Sequence, residues 1–182
     1  VEQLVAESTG KQGTGLLPVV LDPDSPELKE NLADLQVVRL VKDADHVHLF
    51  PHNRHDGEIL ISGSLGGLIF AWEYAVAVAG RLLGINPFDQ PDVESAKAAT
   101  RGLLDTQPKP EPPVFVSDGI EVRGTASVVA GVGNIDEAIG KLLVQLPSDG
   151  YIAIQAYVDR LALPQLLGLR DALAAQSHRP VT

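Results

Sequence analysis

Apolar residues recur at helical spacing over residues 1–8, and the pattern breaks at Gly10 with Lys11 beside the carbonyl end of the predicted helix. Residues 16–21 form a short apolar run closed by Asp22-Pro23-Asp24-Ser25-Pro26, the mark of a buried strand and then a turn. Residues 36–41, 46–50 and 58–62 read as further strands. Ser64 stands where it can cap a long apolar helix over residues 65–83. Pro91 opens another helix, to about residue 104, because its missing N–H costs nothing at the first helical position. Strands alternating with helices, several with wholly apolar centres, predict an α/β fold. Its expected form is a mainly parallel sheet covered on both faces, a three-layer αβα sandwich.

The run Pro108-Lys109-Pro110-Glu111-Pro112-Pro113 can form neither a helix nor an inner strand. It predicts a stiff connector, residues 108–113, between a first domain over 1–107 and a smaller α/β extension over 114–182. In the extension, residues 114–117 and 120–123 read as a hairpin around Asp118-Gly119. Asn134 or Asp136 caps a helix to about residue 146, residues 151–157 read as a strand, and residues 164–175 as a helix. Pro180-Val181-Thr182 has the look of another strand beginning. That ending, with an opening on Val1-Glu2-Gln3 inside a helical pattern, leads us to expect a fragment of a longer protein.

Composition narrows the function classes. The 182 residues suffice for one well-cored domain with an annex, and 45% hydrophobic with 21% charged residues is ordinary for a folded soluble chain. A formal net charge of −10 argues against nucleic acid and against an anionic membrane surface as partners. There is no cysteine, hence no disulfide, thiol nucleophile or cysteine metal site, which suits a cytoplasmic enzyme. The apolar stretch 65–83 raises the question of a membrane span. Glu73 at its middle, with Gly66, Gly67 and Gly80, favours the buried helix of a globular core.

The densest chemistry lies in Phe88-Asp89-Gln90-Pro91-Asp92-Val93-Glu94-Ser95-Ala96-Lys97. Asp92 and Glu94 fall in the first turn of the helix, where negative charge meets the positive end of its dipole. Gln90, Glu94 and Lys97 project towards one side. A lysine held beside a carboxylate and an amide can donate a proton to a sugar oxygen. On spacing alone, Glu94 and Lys97 read first as an ordinary surface ion pair worth a few tenths of a kcal/mol.

Together, Gly80, Leu82, Leu83, Phe88-Asp89-Gln90, Val93-Glu94 and Lys97 resemble the C-terminal signature of glucose-6-phosphate isomerases, which ends Phe-Asp-Gln-x-Gly-Val-Glu-x-x-Lys. Asp92 departs from it, standing where most of the family has glycine. Ala6-Glu7-Ser8-Thr9-Gly10-Lys11 resembles the family's Met-Glu-Ser-Asn-Gly-Lys segment, and residues 64–74 resemble the helix ahead of the signature. The wording is closest to the actinobacterial isomerases and their transaldolase-fused relatives. The resemblance covers roughly residues 1–104.

It implies that residues 1–107 are the second sugar-isomerase (SIS-like) domain of an enzyme interconverting glucose 6-phosphate and fructose 6-phosphate. Lys97 would open the sugar ring, Gln90 would contact substrate near the reacting carbons, and Glu94 would orient Lys97. Lys11 would be a further substrate-binding cation. No metal or organic cofactor is needed, and the full-length protein would be a homodimer. No segment between Lys11 and His46 matches the family's Trp-Gly-Glu-x-Gly-Thr-Asn stretch, and its Gly-Leu-His-His stretch is also missing. The catalytic base is therefore to be sought outside these residues or among Glu7, His52 and His55, and the chain alone is expected to have little or no activity. A different class also fits: a regulatory module that binds a sugar phosphate without turning it over.

Two clusters keep alternative readings. His46, His48, His52 and His55, with Asp45 and Asp56, offer donors suited to a divalent metal, or are simply solvated. Gly131-Val132-Gly133-Asn134 before a helix could cradle a phosphate, or form a tight turn.

Overall fold

The computed structural model describes residues 1–42, 58–107, 109–159, 161–163 and 165–182. Contacts divide the chain into two units, Val1–Ala98 and Ala99–Thr182. In the first unit, the opening apolar pattern becomes α1, Glu2–Thr9, which buries Val5, Ser8 and Thr9. Thr9 is fully enclosed: its Oγ1 donates to the Val5 carbonyl at 2.7 Å and accepts from the Leu16 amide at 3.0 Å. Lys11 and Thr14 exchange two main-chain hydrogen bonds of 3.0 Å across a tight turn. Its central residues have φ of +54° at Gln12 and +77° at Gly13. A two-residue turn of this hand requires both, and glycine reaches such a φ without a Cβ clash.

α2, Leu65–Leu83, starts as expected at Ser64, whose Oγ accepts from the Gly67 amide at 3.2 Å. Such a cap is worth about 1 kcal/mol. The helix ends at Gly84, whose φ of 74° turns the chain out of it. α1 packs against α2, yet α2 is not the buried core helix predicted. Only Val76 and Gly80 are buried, while Leu65, Phe70, Tyr74 and Leu82 are at least two-thirds exposed. Length explains this: eight residues of α1 rise about 12 Å, against about 28 Å for the nineteen of α2. By length and composition α2 could cross a membrane, with Glu73 halfway along it.

At Gly80 the loop after α2 passes close to the helix. A Cβ placed there would lie 2.7 Å from Cδ and Cγ of Pro87, so the loop can fold back over the end of α2 only while that position lacks a side chain. Gly80→Ala is therefore expected to destabilise the protein by about 1–3 kcal/mol through overpacking. Thermal unfolding checks this, and an unchanged Tm would mean that the Pro87 ring moves aside at little cost.

β1, Val38–Leu40, and β2, Ile59–Ile61, pair in parallel with Arg39 opposite Leu60. Arg39 Nε donates to Glu58 Oε1 at 2.5 Å, and the Glu58 side chain is only 4% exposed, so this pair is well shielded from water. These are the predicted strands 36–41 and 58–62, shortened at both ends. The predicted strand 46–50 lies outside the described residues. Residues 16–21 are not a strand: Leu16, Leu17 and Val20 are exposed. Pro18, inside that run, has no N–H to give to a sheet ladder.

α3, Pro91–Thr106, begins on the predicted proline and crosses the division between the units. Residues 109–113 carry neither helix nor strand. β3, Phe115–Ser117, and β4, Ile120–Val122, form the predicted antiparallel hairpin, with positive φ at both Asp118 and Gly119. α4, Ala126–Val129, packs on α5, Ile135–Val144, which Asn134 rather than Asp136 caps. α6, Gln165–Ser177, precedes the last segment, where Val181 forms a parallel bridge with Ile152. The predicted strand 151–157 is reduced to that bridge, tied by Ile152 N–H to the Pro180 carbonyl at 3.0 Å and Ile154 N–H to the Thr182 carbonyl at 2.7 Å.

The fold is thus α/β, but the described residues contain two separate two-stranded sheets, one parallel and one antiparallel. The single sheet of a three-layer sandwich is not seen among them. Among the described residues the buried apolar side chains are few and small: Val5, Val37, Val41 and Val76 in the first unit, and Val129, Val132, Ala174 and Val181 in the second.

Candidate functional site

The end of α1 and the start of α3 face each other across an open cleft of about 290 Å³. Glu7, Gly10 and Lys11 line one wall, and Gln90, Pro91, Asp92, Val93 and Ala96 line the other. Local sequence places each wall. Glu7 lies in the last turn of α1, which Gly10 terminates. Gln90 immediately precedes the helix that Pro91 opens, and Asp92 and Val93 occupy its first turn. Phe88 N–H donates to Asn86 Oδ1 at 3.1 Å, which shapes the approach to Gln90.

Glu7 Oε2 accepts from Gln3 Nε2 at 3.1 Å, one helical turn earlier. Its Oε1 has no hydrogen bond among the described residues. Gln90 is exposed at the rim of the cleft. A carboxylate oxygen that accepts no hydrogen bond among the described residues and a side-chain amide therefore lie on opposite walls of one space. The first can accept a proton from a bound molecule; the second can donate to, and accept from, its hydroxyl or carbonyl groups. Asp92 brings a second carboxylate into the same cleft.

Lys11 is the cation of the cleft, and it is already engaged. Its side chain is 3% exposed; Nζ donates to the Asp89 main-chain oxygen and lies 3.4 Å from Asp89 Oδ1. Lys97 is not among the lining residues. It sits one turn beyond Val93 on the same face of α3, and its Nζ donates to Glu94 Oε1 at 2.9 Å. Their side chains are 55% and 69% exposed, so solvent screens the pair. Of the four site residues predicted, Gln90 and Lys11 are brought to the cleft, and Glu94 and Lys97 are paired outside it. Asp89, Asp92, Val93 and Ala96 were not singled out as site residues. Asp92 was visible as a departure from the signature, and nothing in the periodicity signals that Asp89 meets a residue so distant in sequence.

The two clusters with alternative readings resolve differently. His46, His48, His52 and His55, with Asp45 and Asp56, lie outside the described residues. Among the described residues no group of three or more histidine or acidic side chains is gathered as a metal site would require. The glycine loop before α5 is a turn capped by its own side chains. Asn134 Oδ1 accepts from the Glu137 amide at 2.9 Å, and Glu137 Oε2 accepts from the Gly133 amide at 3.1 Å. The Glu137 carboxylate thus stands where a phosphate would have to sit.

No protein-family model matches the chain, and no solved structure does. Curated relatives do match parts of it. It is 37% identical over 92 residues to a glucose-6-phosphate isomerase of Prochlorococcus marinus, which covers 49% of this chain and 16% of that protein. It is 50% identical over 60 residues to a glucose-6-phosphate isomerase of Leptospira interrogans, covering 33% of this chain and 12% of the relative. With a glucose-6-phosphate isomerase of Limosilactobacillus fermentum it shares 54% identity over 41 residues, covering 22% and 9%. The chain is therefore locally similar to glucose-6-phosphate isomerases, and it spans no more than 16% of the length of these relatives.

Proposed function

We propose that these residues are part of a glucose-6-phosphate isomerase and contribute one face of its active site. One observation carries the reading. The two segments that resemble the family most, residues 6–11 and 88–97, form the two walls of the same cleft. In the proposed reaction, the Glu7 carboxylate removes the proton from C2 of open-chain glucose 6-phosphate and returns it to C1 of the enediolate, while the proton of the C2 hydroxyl passes to the C1 oxygen, giving fructose 6-phosphate. The Gln90 amide hydrogen-bonds the sugar beside these carbons. Lys97, beyond the rim, opens the ring by proton donation once it leaves Glu94, which otherwise holds it. Local similarity to glucose-6-phosphate isomerases supports the reading.

On this reading, residues 1–107 belong to a sugar-isomerase domain of three-layer αβα form, of which the parallel pair β1–β2 is one piece. Residues 108–113 connect it to the extension 114–182. The active enzyme is a cytoplasmic homodimer of the actinobacterial or transaldolase-fused type, with a sugar phosphate as its substrate and no cofactor.

The test is turnover of fructose 6-phosphate to glucose 6-phosphate by the full-length gene product, wild type against Lys97→Ala. Wild-type turnover is expected, with kcat reduced about 10²-fold in the variant, the lower end of what proton transfer contributes. Sugar-phosphate binding without any turnover would replace this reading with that of a regulatory module.

A further inference from the structure

Lys11 stands out as a buried cation that the proposed proton transfers do not use. An exposed lysine at the edge of an acidic chain would serve as a phosphate contact. Lys11 is different: its side chain is 3% exposed, and its ammonium is spent on both the main-chain oxygen and the carboxylate of Asp89. Its own backbone is fixed by the two-hydrogen-bond turn with Thr14, and that turn is anchored to α1 through Thr9 Oγ1 and the Leu16 amide. At the other end, Asp89 directly precedes Gln90. A rigid turn on the Glu7 wall therefore grips the residue next to Gln90 on the opposite wall. Lysine suits this task, because one ammonium can donate to a carbonyl and a carboxylate at once.

Building on the isomerase reading above, we propose that Lys11 is a positioning residue: its ammonium, through Asp89, sets the spacing of Glu7 and Gln90 across the cleft. It makes no contact with substrate. Losing the link leaves both groups present but misplaced, and a displacement near 1 Å costs about 10²-fold in rate. The signature of that role is a fall in kcat with little change in KM, since uniform substrate binding is untouched.

Two measurements on the full-length gene product test this together. The first is steady-state kinetics with fructose 6-phosphate for wild type, Lys11→Met and Lys11→Arg. The second is the distance distribution between nitroxide labels at Glu2→Cys and Ala98→Cys. Both positions are exposed, and the described sequence has no cysteine to interfere. The expected result is a broadened or lengthened distribution in Lys11→Met, kcat down about 10²-fold with KM within about threefold of wild type, and recovery of at least about tenfold in Lys11→Arg. If wild type shows no turnover but Lys11→Met still broadens the distribution, the isomerase reading fails and the positioning role stands. An unchanged distribution in Lys11→Met overturns the positioning role, whatever the kinetics. So does a KM raised about tenfold or more at unchanged kcat, which would make Lys11 a substrate cation. Should Lys11→Met not fold by circular dichroism, Lys11→Gln removes the ammonium while keeping a polar side chain and is judged by the same outcomes.

Discussion

Glu7→Gln in the full-length gene product is expected to lower kcat for fructose 6-phosphate isomerisation by roughly 10²–10⁴-fold, the range for losing a positioned general base. The substitution keeps the shape of the side chain and its acceptor for Gln3 Nε2, the one side-chain hydrogen bond Glu7 makes among the described residues. Folding should therefore be unaffected, and KM should change little, because an amide still fills the wall. What is lost is the ability to take a proton from carbon. Exchange of a C1 hydrogen of fructose 6-phosphate with solvent deuterium, followed by NMR, should fall in parallel with turnover. If kcat instead stays within a factor of about three of wild type, Glu7 is only the last turn of a helix, and the base lies elsewhere.

Residues 1–182 produced on their own are expected to turn over fructose 6-phosphate at least about 10²-fold more slowly than the full-length gene product. The composition of the cleft gives the reason. Its lining offers one carboxylate with an open oxygen, one amide and a further carboxylate, Asp92. Its one cation, Lys11, is occupied by Asp89. A phosphate dianion entering a chain of net charge −10 meets no uncommitted positive group in that cleft, so binding fails before chemistry begins. Comparing kcat/KM of the two proteins in one coupled assay decides the matter. Equal rates would show that the described cleft is sufficient, and that the phosphate is held by residues assigned here to other work.

Local chemistry was well legible in the sequence. Ser64, Pro91 and the Asp118-Gly119 turn each act through the backbone within three or four residues, so their positions fix helix starts and a hairpin directly. Gln90 was found through its place in a signature, and it does line the cleft. Long-range structure was less legible. The run 16–21 has the apolar content of a strand, but Pro18 removes a donor and no partner strand could be read from pattern. The burial of α2 was overestimated because apolarity states what a helix can bury and says nothing about how much covering chain is at hand. Spacing alone reads Glu94 and Lys97 as a surface ion pair, and that is the contact observed; their site roles came from the resemblance. The Lys11–Asp89 link had no signal, since the two residues are 78 apart in sequence.

That separation bears on how the cleft is assembled. Closing a loop of 78 residues in an unstructured chain costs about 4 kcal/mol of chain entropy. Once α1 has docked on α2, most of that loop is already closed, and only the short stretch between the end of α2 and Asp89 is left to order, at about 2 kcal/mol. The economical route is helix pairing first and cleft closure last. The wall that carries Gln90 would then be the last part of the unit to form and the first to open, and amide exchange near Gln90 should be fast relative to that in the α1–α2 pair.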